Sequence, residues 1–168
     1  PDIVYLHIST ESIDELNESN KSSKEKAKIE LNKMQRVWEK LNSSFNCSVI
    51  QDNFEMPAVR SFGNFSLNLT TSSSMTITLL NQMIVEEANK LSYLNIIDRF
   101  YLSSRMGLNS WKDYSLWLSS KYSLSYHAIT HLSYTVGKII NSLFGKSKKC
   151  IILDLDNTLW GGIIGDVG

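Results

Sequence analysis

The stretch "PDIVYLHIST", residues 1–10, contains a run that is typical of a buried strand. Residues 3–8 (IVYLHI) are mostly β-branched, aliphatic or aromatic, and the pattern is continuous rather than alternating. A continuous run of this length predicts a strand that is buried on both faces, as in parallel sheets that are covered by helices. The first residues therefore predict an α/β protein.

Strand-like and helix-like segments alternate through the rest of the chain. Further strands are predicted at residues 47–51 (CSVIQ), 93–98 (YLNIID) and 151–156 (IILDLD). Between them, apolar residues recur at helical spacings and predict three helices with one apolar face each. The three faces carry Ala27, Leu31, Met34, Trp38, Leu41 and Phe45; then Leu80, Met83, Ile84, Ala88 and Leu91; then Ile129, Leu132, Val136, Ile139, Ile140 and Leu143. This order predicts a mainly parallel sheet with flanking helices.

The composition limits the classes of function that the chain could have. Its 168 residues are 42% hydrophobic, which supports a domain with a real core. Lys+Arg and Asp+Glu number 17 each, so net charge gives no case for binding nucleic acid or an anionic membrane. No apolar run approaches the ~20 residues of a membrane helix, and residues 1–168 contain no pattern that predicts a secretory signal. With Cys47 and Cys150 interpreted as small buried residues, we expect a cytoplasmic protein.

The stretch "KCIILDLDNTLWGG", residues 149–162, places two carboxylates at the end of a predicted strand. Because side chains alternate along a strand, Asp154 and Asp156 point to the same face. Open α/β sheets bind ligands at the carboxyl ends of their strands. Two carboxylates ~5 Å apart repel by about 3 kcal/mol at an effective dielectric of ~20. We therefore expect a cation there, and magnesium takes such hard oxygen ligands.

The chemistry that fits this pair is phosphoryl transfer. A carboxylate beside a metal can attack phosphorus and form an acyl phosphate, while the second can transfer protons. A calcium loop of the EF-hand type also begins with Asp-x-Asp, but it needs Gly at its sixth position and Glu at its twelfth. Here those positions hold Leu159 and Gly165.

Four apolar residues followed by Asp-x-Asp-x-Thr resemble the first motif of the haloacid dehalogenase superfamily of phosphotransferases. The longer pattern "DLDNTLWGG" resembles the FkbH-like branch, in which such a phosphatase domain follows an N-terminal domain similar to SGNH hydrolases. The segments "PDIVYLHIS", "IQDNFEMP" and "NIID" are similar to that family as well. The resemblance implies a three-layer, SGNH- or flavodoxin-like α/β domain at residues 1–147. Residues 148–168 would then begin a Rossmann-like phosphatase domain.

The resemblance also implies roles for three residues of this motif. Asp154 resembles the nucleophile and a magnesium ligand, and Asp156 resembles the general acid/base, with its backbone carbonyl on the metal. Thr158 resembles the residue that steadies the motif loop at the substrate. The remaining phosphatase motifs are expected beyond Gly168, and we expect the chain to be part of a larger protein. The implied partners are a phosphorylated glyceryl substrate and an acyl carrier protein.

For the N-terminal region the sequence predicts no working hydrolase triad. SGNH hydrolases carry an Asp-x-x-His motif near the last helix, but Leu124 and Ala128 stand three residues before His127 and His131. The alternative function is therefore a non-catalytic module that positions a partner or carrier protein. Polar residues follow the predicted strands, where they could form a ligand site or simply belong to polar loops: His7, Ser9, Thr10, Asp52, Asn53, Glu55 and Asp98. The aromatic run 111–126 is interpreted as packing.

Overall fold

The computed structural model describes residues 1–13, 16 and 20–146. By its internal contacts the chain divides into two units, residues 1–137 and 138–168, and the elements below belong to the first except for the end of the last helix. The fourth predicted strand, Cys150 and the proposed phosphatase segment 148–168 lie outside the described residues. The assignments of Asp154, Asp156 and Thr158 and the boundary after residue 147 therefore stay predictions.

Three strands form a parallel sheet in the order β1-β2-β3. They are β1 (Ile3–Leu6), β2 (Ser48–Asp52) and β3 (Leu94–Ile97). Val4 pairs with Val49, which in turn pairs with Leu94. The predicted α/β fold with a mainly parallel sheet and flanking helices is confirmed. The first strand is shorter than predicted and only half-buried, because among the described strands it pairs with β2 alone.

The first two helices cover one face of this sheet. Helix α1 (Ser23–Phe45) follows β1, and α2 (Ser73–Ala88) follows β2. Ser22 begins α1 with a capping box to Glu25, and the Ser72 side chain accepts a hydrogen bond from the backbone of α2. Successive crossovers in one direction place their helices on the same side of a parallel sheet, and α1 and α2 contact each other accordingly.

The core between these helices and the sheet contains most of the predicted apolar faces. Its buried members are Ile13, Ala27, Leu31, Met34, Trp38, Cys47, Val49, Phe54, Ile77, Leu80, Ile84 and Leu94. The first face ends before Phe45, which is 53% exposed. Of the third face, Leu132 is buried and Leu143 is exposed.

The segment after β3 is helical. It comprises α3 (Arg99–Met106), α4 (Leu108–Trp111), α5 (Tyr114–Ser120) and α6 (Tyr126–Leu143). Two backbone hydrogen bonds, from Asp113 to Ser123 and from Ser125 to Trp111, close the chain around α5. The packing interpretation of the aromatic run is confirmed for Trp111, which is fully buried, but it is wrong for the exposed Tyr114, Tyr122 and Tyr126.

None of the helices in the described part of the chain combines the length and apolar character that a membrane span requires.

Ile84 and Val85 are neighbours on α2 and give a matched test of this core. Ile84 is fully buried and Val85 is 43% exposed. We expect Ile84→Ala to lower the free energy of unfolding by about 2–5 kcal/mol, because it leaves a cavity in the core. Val85→Ala should change it by no more than about 0.5 kcal/mol. Urea denaturation of both variants checks this, and equal losses would contradict the assigned face of α2.

Candidate functional site

The sheet register brings two polar side chains together at the carboxyl ends of β1 and β2. Leu6 pairs with Gln51, so the next positions along the two strands are His7 and Asp52. Because side chains alternate, both lie on the face opposite to α1 and α2, together with Tyr5. Ligands bind at this edge in open α/β sheets.

His7 and Asp52 form a short hydrogen bond, with 2.5 Å between Nδ1 and Oδ2. The Asp52 side chain is fully buried, while 33% of the His7 side chain is exposed. The same carboxylate oxygen accepts a hydrogen bond from Nη1 of Arg99 at 3.1 Å. A carboxylate only accepts, so Nδ1 of His7 carries the proton and donates it.

Arg99 continues this chain of contacts deeper into the protein. Its Nη2 donates to the backbone carbonyl of Ile8 at 2.9 Å, and its Nε lies 2.6 Å from Oε2 of Glu55. The guanidinium also lies over the ring of Phe54, 5.3 Å from the centroid. Arg99 is fully buried, so one side chain joins the ends of β1 and β2, the loop after β2 and the start of α3.

Lys112 completes what we call the charge cluster, formed by His7, Glu11, Asp52, Glu55, Arg99 and Lys112. Its Nζ lies 3.0 Å from Oε1 of Glu55 and forms a second ion pair with Glu11. The cluster thus holds three carboxylates, two permanent cations and one imidazole. Its permanent charges are all engaged with one another, so no charge in it is left over to bind an anion.

The protein environment shifts two pKa values at this site. Burial alone would raise the pKa of the Glu55 carboxyl, but the charges of Arg99 and Lys112 outweigh it and hold the pKa below its usual value. Burial raises the pKa of the Tyr5 phenol, and the negative charge of Asp52 raises it further. Glu55 therefore contributes as a carboxylate at neutral pH, and Tyr5 as a neutral hydroxyl.

A second polar group holds the loops beside the cluster. Asn53 donates to Oδ1 of Asp98 at 2.9 Å and accepts from the backbone N–H of Phe100 at the same distance. Asn81 of α2 accepts from the N–H of Phe54 at 2.8 Å and donates to its carbonyl at 2.7 Å. These contacts fix the backbone on either side of the buried charges.

The structure brings together several residues that the sequence predicted for this edge. His7, Asp52 and Glu55 belong to the charge cluster, Asn53 pairs with Asp98, and Thr10 donates to the carbonyl of Glu55 at 3.3 Å. Ser9 instead bonds Ser12 in the neighbouring turn. Loop polarity alone does not explain the set, because Asp52, Asn53 and Glu55 are buried.

Sequence reasoning missed Glu11, Arg99 and Lys112. Arg99 directly follows the predicted third strand, so its place in the chain was the available signal. Lys112 is positioned by the pairing of residues 111–113 with 123–125, which no local pattern indicates. His127 and His131 lie exposed on α6 and do not belong to the cluster. Within the described residues, no three His, Cys, Asp or Glu side chains are arranged to hold a metal ion.

Comparisons with known proteins agree with this architecture. A family model described as "FkbH, N-terminal domain" matches residues 1–141. A crystal structure of the N-terminal part of the protein BF1531 from Bacteroides fragilis, described as containing a phosphatase domain complexed with Mg, has a TM-score of 0.81 and 28% sequence identity. The match covers 99% of this chain and 44% of that one, so the chain spans less than half of that structure. The curated proteins gave no match.

The lowered pKa of Glu55 makes stability depend on pH in one direction. A carboxyl whose pKa is lower in the folded than in the unfolded state stabilises the folded state at pH values above the unfolded pKa, which lies near the ordinary value of 4.5. This stabilisation is lost as the pH falls through the folded pKa. We expect Glu55→Gln to reduce the free energy of unfolding at pH 7 and to flatten its decrease below about pH 4.5.

Urea denaturation from pH 3 to pH 7 measures this, and Glu86→Gln, at an exposed position on α2, is the matched control. The control should follow the wild-type curve. A Glu55→Gln curve that ran parallel to wild type throughout would show that Glu55 does not supply the pH dependence.

Proposed function

Since the chain belongs to the FkbH family, we propose that it is the N-terminal part of a longer, magnesium-dependent phosphatase of the haloacid dehalogenase type. The observation that carries the proposal is the match of 99% of the chain to a structure that contains a phosphatase domain and Mg. The Asp-x-Asp-x-Thr motif at residues 154–158 supports it. In this proposal residues 1–147 are an SGNH-like domain, and residues 148–168 begin the phosphatase domain.

The chemistry of the motif fits magnesium. Asp154 and Asp156, the proposed ligands, supply carboxylate and carbonyl oxygens, which are the donors that Mg²⁺ prefers. When bound, the ion would neutralise negative charge on the phosphoryl group. The described residues offer no competing cluster of metal-binding side chains.

The two aspartates would divide the reaction between them. The Asp154 carboxylate attacks phosphorus and the bond to the leaving oxygen breaks, which leaves an acyl phosphate on Asp154. Asp156 gives its proton to the leaving oxygen and then takes one from the water that hydrolyses the acyl phosphate. Thr158 steadies the loop that meets the substrate. Inorganic phosphate and the free alcohol are the products.

The narrower parts of the proposal rest on the family resemblance. They are a phosphorylated glyceryl substrate and the loading of its acyl group onto a carrier protein. A cytoplasmic location belongs to the same proposal and is supported by the small number of cysteines.

The alternative function, a non-catalytic binding module, concerns the N-terminal domain. The observation that favours it is the internal pairing of the charge cluster, which leaves no permanent charge free for a substrate phosphate. In this view the domain positions a partner or carrier protein, and catalysis belongs to Asp154. The two functions are compatible in one protein. Removal of the N-terminal domain would distinguish them, because it should weaken carrier binding and leave the phosphatase turnover of a simple substrate unchanged.

In the longer protein we expect Asp154→Asn to abolish phosphate-ester hydrolysis while the fold remains intact, because the change removes the attacking carboxylate. Asp156→Asn should slow turnover by about 10²–10⁴-fold through the loss of proton transfer. For Asp156→Asn, the rate of the first step should fall less on an acyl phosphate than on an ester, because the leaving group of an acyl phosphate depends less on protonation.

Turnover of both variants on an ester and on an acyl phosphate, with circular dichroism as the check of folding, measures this. The 168-residue chain alone should show no enzymatic turnover, since the other phosphatase motifs are expected beyond Gly168. Near-normal rates for Asp154→Asn would exclude it as the nucleophile, and magnesium-dependent turnover by the chain alone would show a complete site within it.

A further inference from the structure

A groove runs along the carboxyl edge of the sheet, where α2 and the start of α3 meet the loop after β2. It begins in a cavity of about 400 Å³, to which Met56, Asp98 and Phe100 contribute. The wall of this first cavity on the side of α2 is the exposed stripe of that helix, which consists of Thr78, Gln82, Val85 and Glu86. A second cavity of about 380 Å³ shares Met56 and Phe100 with the first and continues the groove to Asn109. Ligands bind at this edge in open α/β sheets.

Two carboxylates in the first cavity lack a positive partner. Glu86 and Asp98 are both exposed, and no ion pair involves either of them in the part of the chain that the structure describes. The hydrogen bonds that they accept come from neutral donors, namely the amides of Gln82 and Asn53 and the backbone N–H of Tyr101. The other polar side chains of the lining are neutral and hydrogen-bonded within the protein: Thr78 and Asn81.

The positive groups next to these carboxylates do not neutralise them. Arg99 follows Asp98 in the sequence, but its guanidinium is fully buried and paired with Asp52 and Glu55. The N-terminus of α3, which Asp98 caps, carries only about half of a positive charge. The first cavity therefore keeps a net negative charge, which repels an anion and attracts a cation.

An exposed aromatic ring in the same lining favours a guanidinium over an ammonium group as this cation. Phe100 is 40% exposed and lines the cavity together with both carboxylates. A guanidinium stacks on an aromatic ring and presents a planar fork of donors to carboxylates, whereas an ammonium group is a compact and strongly hydrated point charge. Met56 and Val85 offer apolar contacts to the methylene groups that carry a guanidinium. The first cavity therefore fits an arginine side chain.

The second cavity extends the site beyond one side chain. None of the residues that line it is charged. Asn109 is exposed, and its carboxamide forms no hydrogen bond with any described residue. A carboxamide both donates and accepts, so it complements the N–H and the carbonyl of a peptide bond. An uncharged cavity with an unused carboxamide, next to an acidic one, suits a polypeptide better than an isolated cation.

We propose that this groove binds an extended segment of a partner protein, with an arginine in the first cavity and the neighbouring main chain against Asn109. The charge of the arginine complements Glu86 and Asp98, and its guanidinium stacks on Phe100. This inference rests on the binding-module function proposed above and does not depend on the phosphatase chemistry. Removal of the N-terminal domain tests whether the domain binds a partner, whereas variants of the groove test where the partner binds, so the two proposals can fail separately.

The direct test compares two acetylated peptide amides, Ala-Leu-Arg-Leu-Ala and the same sequence with citrulline, which keeps the shape of arginine without its charge. We expect the arginine peptide to bind the 168-residue chain saturably at pH 7 and low salt, with a Kd at least about tenfold lower than that of the citrulline peptide. Isothermal titration calorimetry measures both, and chemical-shift changes at Val85 and Asn109 report the place of binding. Absence of binding by the arginine peptide, or equal Kd values for the two peptides, would overturn the proposal. Acetyl-arginine amide should bind more weakly than the arginine peptide because it does not reach Asn109, and equal affinity would overturn the assignment of an extended segment.

Two matched pairs of variants locate the site. Val85 in the groove and Val37 on α1 are 43% and 46% exposed, so the fold should tolerate a larger side chain at either position. Val85→Trp should block the arginine peptide, and Val37→Trp should not. Glu86→Lys should weaken its binding at least about tenfold, because it places a positive charge beside the guanidinium. Glu39→Lys, at an exposed position on α1, changes the net charge of the chain equally and should leave binding unchanged. Unchanged binding in Val85→Trp or in Glu86→Lys would place the peptide elsewhere and overturn the assignment.

Discussion

The ion pairs of Arg99 are the interactions on which the carboxyl end of the sheet depends. This guanidinium is fully buried, and it contacts the carboxylates of Asp52 and Glu55 as well as the carbonyl of Ile8. Burying a charge without a partner is very costly, so each of these side chains needs the others. These contacts hold together strand ends that are far apart in sequence. They also orient the imidazole of His7.

That arrangement gives the domain many charges, yet neither cation of the charge cluster is left free to stabilise a phosphate ester. The positive groups are paired with carboxylates, and His7 is hydrogen-bonded to Asp52. The family match and the Bacteroides structure instead connect the chain to a phosphatase domain, which we propose begins at residue 148. In this proposal the N-terminal domain serves recognition rather than catalysis.

The sequence predicted the layers of the fold because they depend on local periodicity. The apolar face of α1 and the strands around Val49 and Leu94 follow from spacing alone, and the structure confirms them. The exposure of Phe45 and the short β1 were not predictable in the same way, because they depend on which elements end up as neighbours. The candidate site shows the same division. His7, Asp52 and Glu55 follow strands and were found, whereas Lys112 reaches Glu55 through a pairing of distant segments that no local pattern encodes.

The central claim is that Arg99 and Asp52 hold the site together as a coupled pair, and a double-mutant cycle tests it most directly. The free energy of unfolding would be measured in urea at pH 7 for Arg99→Met, Asp52→Asn and the double variant. Each single change should cost about 3–5 kcal/mol, because it removes one of the few partners that compensate a fully buried charge. The double variant should cost less than the two together, by an interaction energy of about 0.5–3 kcal/mol. Strictly additive losses would contradict the account, since they would show that the two side chains stabilise the protein independently.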